Sequence, residues 1–327
     1  TTEIQSQSWR VTCSPHHNHQ DNAAQEVATQ LWMDWHLKKG GQPVPASPTC
    51  KVQINTASGI PSVFVHADES QPVLSVDVFY TRHGKQPGEP EDRENTIARF
   101  WHHAALVKED NHYRGELPLH GIDQPLWVYA NVTYRLPQPI EGAGYYYRTY
   151  EADRFCLSSL LTQITPQELR KSSVRSTRPT TTSLEDFQGD WRKEWFTYRP
   201  DEWSITTHKV YDDVYAAPPD ARLQLDVQCE LPNDLVIRLD DYASCVKLEG
   251  GKSHQTIRVT PHDFKNHAGE SLADWRGIKQ LKLVTSDRLK PFRGNPAKPR
   301  TIGEPWQGPP PEFRSLRWIP TGDPVSE

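Results

Sequence analysis

The sequence predicts a mainly β chain, two β-sandwich domains introduced by a short strand, a turn and a helix, and three observations predict it. Two stretches, 49–161 and 184–319, each hold about seven short apolar or alternating runs separated by Gly, Pro, Asn and Asp turn signals, the pattern of antiparallel sandwiches. The composition is aromatic and punctuated by proline, with 11 Trp, 28 Pro and a single Met in 327 residues. Between the two stretches, Ser172 to Ser183 is dense in Ser, Thr, Arg and Pro, the clearest linker in the chain.

The elements follow in order. Ser8 to Cys13 reads as a short apolar strand, and Ser14-Pro15-His16-His17-Asn18-His19 as a turn rich in histidine. Ala24, Ala28, Leu31 and Trp35 then recur on one face of a helix expected over about Ala23 to Lys38. Asp21 or Asn22 serves as its N-cap, Gln25 stands in capping-box position, and Gly40-Gly41 stop it. Pro43, Pro45 and Pro48 form a stiff connector, because each fixes φ and withholds an N–H.

In the second section, strands are expected at Lys51 to Thr56, Ser62 to Ala67, Leu74 to Thr81, Ala98 to Ala105, Tyr113 to Leu117, Leu126 to Tyr134 and Arg154 to Ser158. Leu74, Val76, Val78 and Tyr80 alternate with Ser75, Asp77 and Phe79, so one face of that strand is the more buried. Residues 49–161 thus read as an immunoglobulin- or fibronectin-like sandwich, with Gly84 to Asn95 a long surface loop. Thr165-Pro166-Gln167-Glu168 supplies N-cap, N1 proline and N3 glutamate of a short helix, making 162–183 helix and linker.

In the third section, 184–319, strands are expected at Ser204 to Tyr211, Ala221 to Cys229, Leu235 to Leu239, Ser244 to Leu248, Gln255 to Val259, Ile278 to Val284 and Ser315 to Trp318. Pro261-His262-Asp263-Phe264 begins a single helical turn. Two packed antiparallel sheets, a jelly roll, dispose of the edges of such strands. Residues 320–327 read as a disordered tail.

The formal charge of -5 is mild, and no Lys/Arg stripe is interleaved with aromatics, which argues against nucleic acid as a partner. No apolar run approaches the roughly 18 residues of a membrane span. The five cysteines are widely spaced with no C-x-x-C pair, against a zinc or redox site. Cys229 and Cys245, on neighbouring predicted strands, are able to bridge in an oxidising compartment; the frequency of buried free Cys favours free thiols.

Trp191, Trp195, Trp203, Tyr215 and Trp306 are candidate carbohydrate platforms, since an aromatic face stacks on the C–H face of a pyranose while neighbouring Asp, Asn and Arg fix the hydroxyls. About two of them are expected at the surface and the rest in the core. Glu185, Asp186, Asp212 and Asp213 offer oxygens to a structural calcium, against the plainer reading of surface acids, and no other cofactor is implied. His16, His17 and His19 are too close in sequence to point at one metal centre. His102-His103 must face opposite sides of a strand, and packing is their expected role. Asn131-Val132-Thr133 is a formal glycosylation sequon inside a predicted central strand, where it carries no meaning.

The segment Ser14-Pro15-His16-His17-Asn18-His19, the run Leu31-Trp32-Met33-Asp34-Trp35-His36-Leu37-Lys38, and the strands Val78 to Arg82, Ala98 to Ala104 and Val128 to Tyr134 together resemble the C-terminal part of bacterial α/β-hydrolases. The group is the dienelactone-hydrolase-like and acetyl-xylan-esterase-like one, and the resemblance covers about residues 8 to 160. It implies that residues 1–42 are the last strand, histidine turn and helix of a catalytic domain, and that His19 is the general base. That fold orders its triad Ser, then Asp or Glu, then His, so the resemblance implies a nucleophile and acid ahead of residue 1. No Gly-x-Ser-x-Gly elbow occurs downstream; Gly84-Lys85-Gln86-Pro87-Gly88 has glutamine at its centre.

The third section resembles carbohydrate-binding jelly rolls through Leu184-Glu185-Asp186-Phe187 and Leu272 to Ile278. The expected function is therefore the C-terminal portion of a secreted or periplasmic serine ester hydrolase, inactive without its upstream catalytic domain and directed at a polysaccharide or small ester. The alternatives are a non-catalytic glycan-binding protein and the tail of a peptidase of the same superfamily.

Overall fold

The computed structural model describes residues 9–17, 23–38, 43–85, 97–144, 148–198, 202–291 and 298–321. The chain is mainly β, built from several antiparallel sheets, and divides into two compact units, Thr1–Arg178 and Pro179–Glu327.

The first unit contains α1 (Ala23–Leu37), β1 (Thr49–Gln53), β2 (Ser62–His66), β3 (Val73–Thr81), β4 (His102–Ala104), β5 (Leu106–Glu109), β6 (His112–Glu116), β7 (Leu126–Gly144), β8 (Arg148–Ser158), β9 (Thr162–Ile164) and α2 (Pro166–Lys171). One sheet runs β1-β2-β6-β5 and the other β4-β3-β7-β8, with β9 on the start of β7. Strand β7 organises the unit through its period of two. Leu126, Val128 and Ala130 lie in a core shared with Val63 and Val65 of the opposite sheet. Val132, Tyr134 and Leu136 on the same face pack with Val27 and Ala28 of α1, where Leu31 and Trp35 complete the contact. The helix expected near Ala23 to Lys38 is present on the expected face; its cap at Asp21 or Asn22 and the stop at Gly40-Gly41 lie outside the described residues. So do His19, most of the loop expected at Gly84 to Asn95, and 322–327 of the tail.

The strand expected at Ser8 to Cys13 is not formed, since residues 9–13 belong to no sheet. Strand β7 continues past Tyr134 to Gly144 opposite a longer β8, with a register shift between Arg135 and Ile140. Pro137 and Pro139 fall there, and neither has an N–H to give the ladder. The strand expected at Ala98 to Ala105 shrinks to His102–Ala104, because Arg99 Nε and Phe100 N turn to the carbonyl and ring of His83. The helix at Pro166–Lys171 has the full expected capping box between Thr165 and Glu168.

The second unit contains β10 (Ser183–Glu185), β11 (Ile205–Thr207), β12 (Arg222–Gln228), β13 (Asn233–Leu239), β14 (Tyr242–Leu248), β15 (Gln255–Val259), β16 (Leu281–Val284), β17 (Asp287–Leu289), β18 (Arg300–Ile302) and β19 (Glu312–Ile319). Its sheets run β10-β19-β12-β15 and β11-β16-β13-β14, with β17-β18 a separate pair. Leu223, Leu225 and Val227 of β12 alternate into the core. A two-residue turn at Asp240 and Asp241 joins β13 to β14, and Asp240 takes the positive φ of 47° it requires. The Asp240 carboxylate also accepts from Lys279 N and Gln280 N at 3.0 and 2.9 Å. Those two amides are thereby lost to the sheet, which is why β16 starts at Leu281 and not at Ile278.

The strand expected from Ser204 ends at Thr207, whose hydroxyl accepts from Lys209 N at 3.2 Å and turns the chain into a short 3-10 helix. Cys229 follows β12 and Cys245 lies in β14, in different sheets, and both are free. No helix among the described residues is long and apolar enough to cross a membrane.

Candidate functional site

The face of β7 turned away from the core carries Trp127, Tyr129 and Asn131, and the segment holding the histidine turn is fastened to it. Ser158 N, from β8, donates to Val11 O at 2.7 Å. The Ser158 hydroxyl accepts from Cys13 N at 2.7 Å and donates to Asn131 Oδ1 at 2.6 Å. Asn131 Nδ2 donates to Cys13 O at 3.0 Å. Arg10 Nη2 donates to Val44 O at 3.1 Å, and its guanidinium lies 5.5 Å over Trp35 of α1. The sequon asparagine is thus a buried structural residue, with no room for a glycan.

From this anchor the chain turns at Pro15 and His16. His16 adopts φ 64°, a left-handed conformation that costs a non-glycine residue of order 1–2 kcal/mol and persists where surroundings hold it. Its ring is buried and stacks on Phe100 with centroids 5.4 Å apart. His17 Nδ1 lies 3.2 Å from Pro15 O. A carbonyl only accepts, so this contact is a hydrogen bond when Nδ1 carries a proton, which leaves Nε2 as the ring atom of His17 available to a base's role.

Both rings line a cavity of about 350 Å3. The turn contributes Cys13, Ser14, His16 and His17; β7 contributes Trp127 and Tyr129, and Trp101 comes from the segment just before β4; Ile97, Leu160 and Leu161 complete the apolar part. Trp101 meets Tyr129 edge to face at 4.9 Å, and Arg99 sits 4.6 Å over the Trp127 ring. Burial pushes the Cys13 thiol up, against a weaker opposing hydrogen bond from Ser158, so it is no thiolate nucleophile at neutral pH. Burial likewise holds Tyr129 well above the ordinary phenol value, and its hydroxyl stays protonated. Elsewhere in this unit, His102 is buried beside Phe100, while His103 Nε2 pairs with Asp77 at 3.0 Å, so the two histidines do face apart.

The second unit places its five predicted platforms differently. Trp195 is buried and donates through Nε1 to Glu185 at 2.7 Å. Tyr215 is buried 5.2 Å from the Lys209 ammonium. Neither presents a face to a ligand, and both are corrected to core residues. Trp191 and Trp203 line one cleft of about 220 Å3 with Phe187 and Phe313. Trp306 packs edge to face on Trp203 at 4.8 Å, and its Nε1 donates to Pro309 O at 2.8 Å. Arg192 covers one face of Trp191 at 4.4 Å.

Three of the four acids named for calcium are engaged within the protein. Lys209 Nζ sits 2.8 Å from Glu185 and 2.7 Å from Glu194, Asp186 caps Gln188 N, and Asp212 caps Val214 N. Asp213, beside it, lies exposed in a 3-10 turn. Burial alone would depress the Lys209 ammonium, but Glu194, Tyr215 and Glu185 together hold it above its ordinary value. Among the described residues no group of three or more His, Cys, Asp or Glu is placed to hold a metal ion.

No protein-family model, no curated protein and no solved structure matches this chain.

Trp101, Trp127 and Tyr129 were not among the site residues expected from the sequence, and His17 was expected only as one histidine of the turn. The signal for two of them was there: Trp127, Tyr129 and Asn131 alternate with the apolar Val128, Ala130 and Val132, and aromatic residues on the polar face of a strand need a reason.

Proposed function

We propose that this chain is the C-terminal portion of a serine ester hydrolase, its histidine turn supplying the general base and its β units, immunoglobulin- or fibronectin-like and then jelly-roll, acting as accessory bodies. The observation that supports it is the turn itself: a left-handed His16 and a His17 whose Nδ1 lies 3.2 Å from Pro15 O, fastened by Ser158 and Asn131, line an aromatic-walled cavity. In the reaction, an imidazole of this turn, His19 by resemblance, takes the proton of a serine hydroxyl as its oxygen attacks the ester carbonyl. It returns that proton to the leaving alcohol, and water repeats the cycle on the acyl-enzyme. The serine belongs to polypeptide ahead of this sequence, and a polysaccharide ester met outside the cytoplasm is the substrate class. A fluorophosphonate probe applied to the native gene product tests this. The reading expects a labelled species heavier than these 327 residues account for; an unlabelled product of this size removes it.

One observation favours a second reading, a non-catalytic glycan-binding protein. Trp191 and Trp203 share a cleft with Gln188, Arg192 and Glu312, aromatic surface with hydrogen-bonding groups beside it. Retardation of the chain in polysaccharide-containing gels, abolished by Trp203→Ala, is its expected result; migration unaffected by any polysaccharide tested contradicts it.

A further inference from the structure

The cavity beneath the histidine turn is chemically divided. Its turn side is polar, from Cys13, Ser14, His16 and His17, whereas the opposite side is aromatic, from Trp101, Trp127 and Tyr129. Its volume of about 350 Å3 is roughly twice that of the ~150 Å3 apolar cavity that accepts a benzene, and within the range of small-molecule sites.

The aromatic side is closely packed. The Trp127 ring has Arg99 over one face at 4.6 Å. Gly84 lies so close that a Cβ there would fall 2.3 Å from the indole, so only glycine lets the ring occupy this place. Tyr129 is buried, its ring 4.9 Å from Trp101 in edge-to-face contact and 5.7 Å from Phe79. Such a wall is already ordered before a ligand arrives, which lowers the entropic cost of binding. A compact acetyl group would leave most of the space unfilled.

We propose that this cavity binds the planar aromatic group of an ester, the ring against Trp101, Trp127 and Tyr129 and the ester end toward the histidine wall. The substrate class is therefore an ester of an aromatic acid and not an acetyl ester, a specificity that rests on the hydrolase reading above. The binding itself does not rest on it.

The test is calorimetric titration of the full 327-residue chain with methyl cinnamate, with methyl acetate as the small comparator. Saturable binding of methyl cinnamate and none of methyl acetate is the expected result. Trp101→Ala lowers that affinity about tenfold, the loss of one stacking partner and its buried area. Ile97, 43% exposed at the rim, allows a variant that leaves the fold intact: Ile97→Trp fills the mouth and abolishes binding with no change in melting temperature. Absence of saturable methyl cinnamate binding, or equal binding by folded Ile97→Trp, overturns the proposal. No turnover is needed for this readout. Methyl cinnamate binding with no fluorophosphonate labelling keeps the aromatic site and removes the hydrolase; labelling without methyl cinnamate binding does the reverse.

Discussion

The two units spend their aromatic and polar side chains differently. In the second, Trp195 and Trp318 bury their rings and satisfy their indole N–H groups on Glu185 and Tyr215 O. Its most buried charge, Lys209, is enclosed by Glu185 and Glu194. In the first, Trp101, Trp127 and Tyr129 stand around a cavity, facing a turn with a residue in a costly backbone conformation. Side chains whose bonding is closed among themselves hold a fold together; side chains gathered around open volume next to a strained turn are placed for something else. The contrast locates candidate chemistry in the first unit, although the sequence drew attention to the tryptophans of the second.

The largest expected effect separates the units by stability. Lys209→Met leaves Glu185 and Glu194 buried without their cation and costs about 3–5 kcal/mol. Scanning calorimetry of the full chain should then show the transition of the second unit lowered or lost and that of the first unmoved. A shift of both would mean the units do not unfold separately, and the comparison would fail.

Alkaline pH should split them in the opposite sense. Burial pushes the Cys50 thiol of β1 from 9.0 up to about 12, against a weaker hydrogen bond from Ser159. The unfolded chain gives up that proton near 9.0 while the folded chain keeps it, so stability present below 9.0 is lost as pH rises toward 12. Lys209 is also raised, from 10.5, so its contribution declines only above that value. Urea melts taken between 9.0 and 10.5 should weaken the first unit more than the second, where burial also raises the Cys229 and Cys245 thiols but by less than Cys50.

A smaller effect tests the fastening of the turn. Ser158→Ala removes a buried hydroxyl that both accepts from Cys13 N and donates to Asn131, at a cost of about 1–3 kcal/mol. The Cys13 amide should lose protection from hydrogen exchange; unchanged protection would mean the turn is held by something else. The smallest belongs to the cleft of the second unit. Arg192→Ala uncovers a face of Trp191 at about 0.5–1 kcal/mol. If that cleft binds glycan, retardation in polysaccharide gels should strengthen.

Local signals were legible in the sequence and long-range ones were not. The capping box at Thr165 and Glu168, the helical turn after Thr260 and the strand Gln255–Val259 lie where nearest-neighbour chemistry puts them. Strand ends were misplaced where a distant group took the amides: Asp240 for Lys279 and Gln280, His83 for Phe100. The site suffered most, because Cys13 meets Ser158 across 145 residues and no periodicity encodes that pairing. The platforms among Trp191, Trp195, Trp203, Tyr215 and Trp306 could not be ranked by residue type, since the setting of each aromatic depends on partners distant in sequence, such as Phe313 beside Trp203 and Lys279 O beside His208 near Tyr215's 3-10 turn.

The fastened turn holds the His17 ring at the cavity with its Nδ1 against Pro15 O. Long-range proton–nitrogen NMR of the imidazoles reads this directly. His17 should appear as the neutral tautomer protonated on Nδ1, with an unprotonated Nε2, and lose that signature in Ser158→Ala. A His17 protonated on Nε2, or averaging between tautomers as a solvated histidine does, would mean that the turn does not set the ring for a base's role.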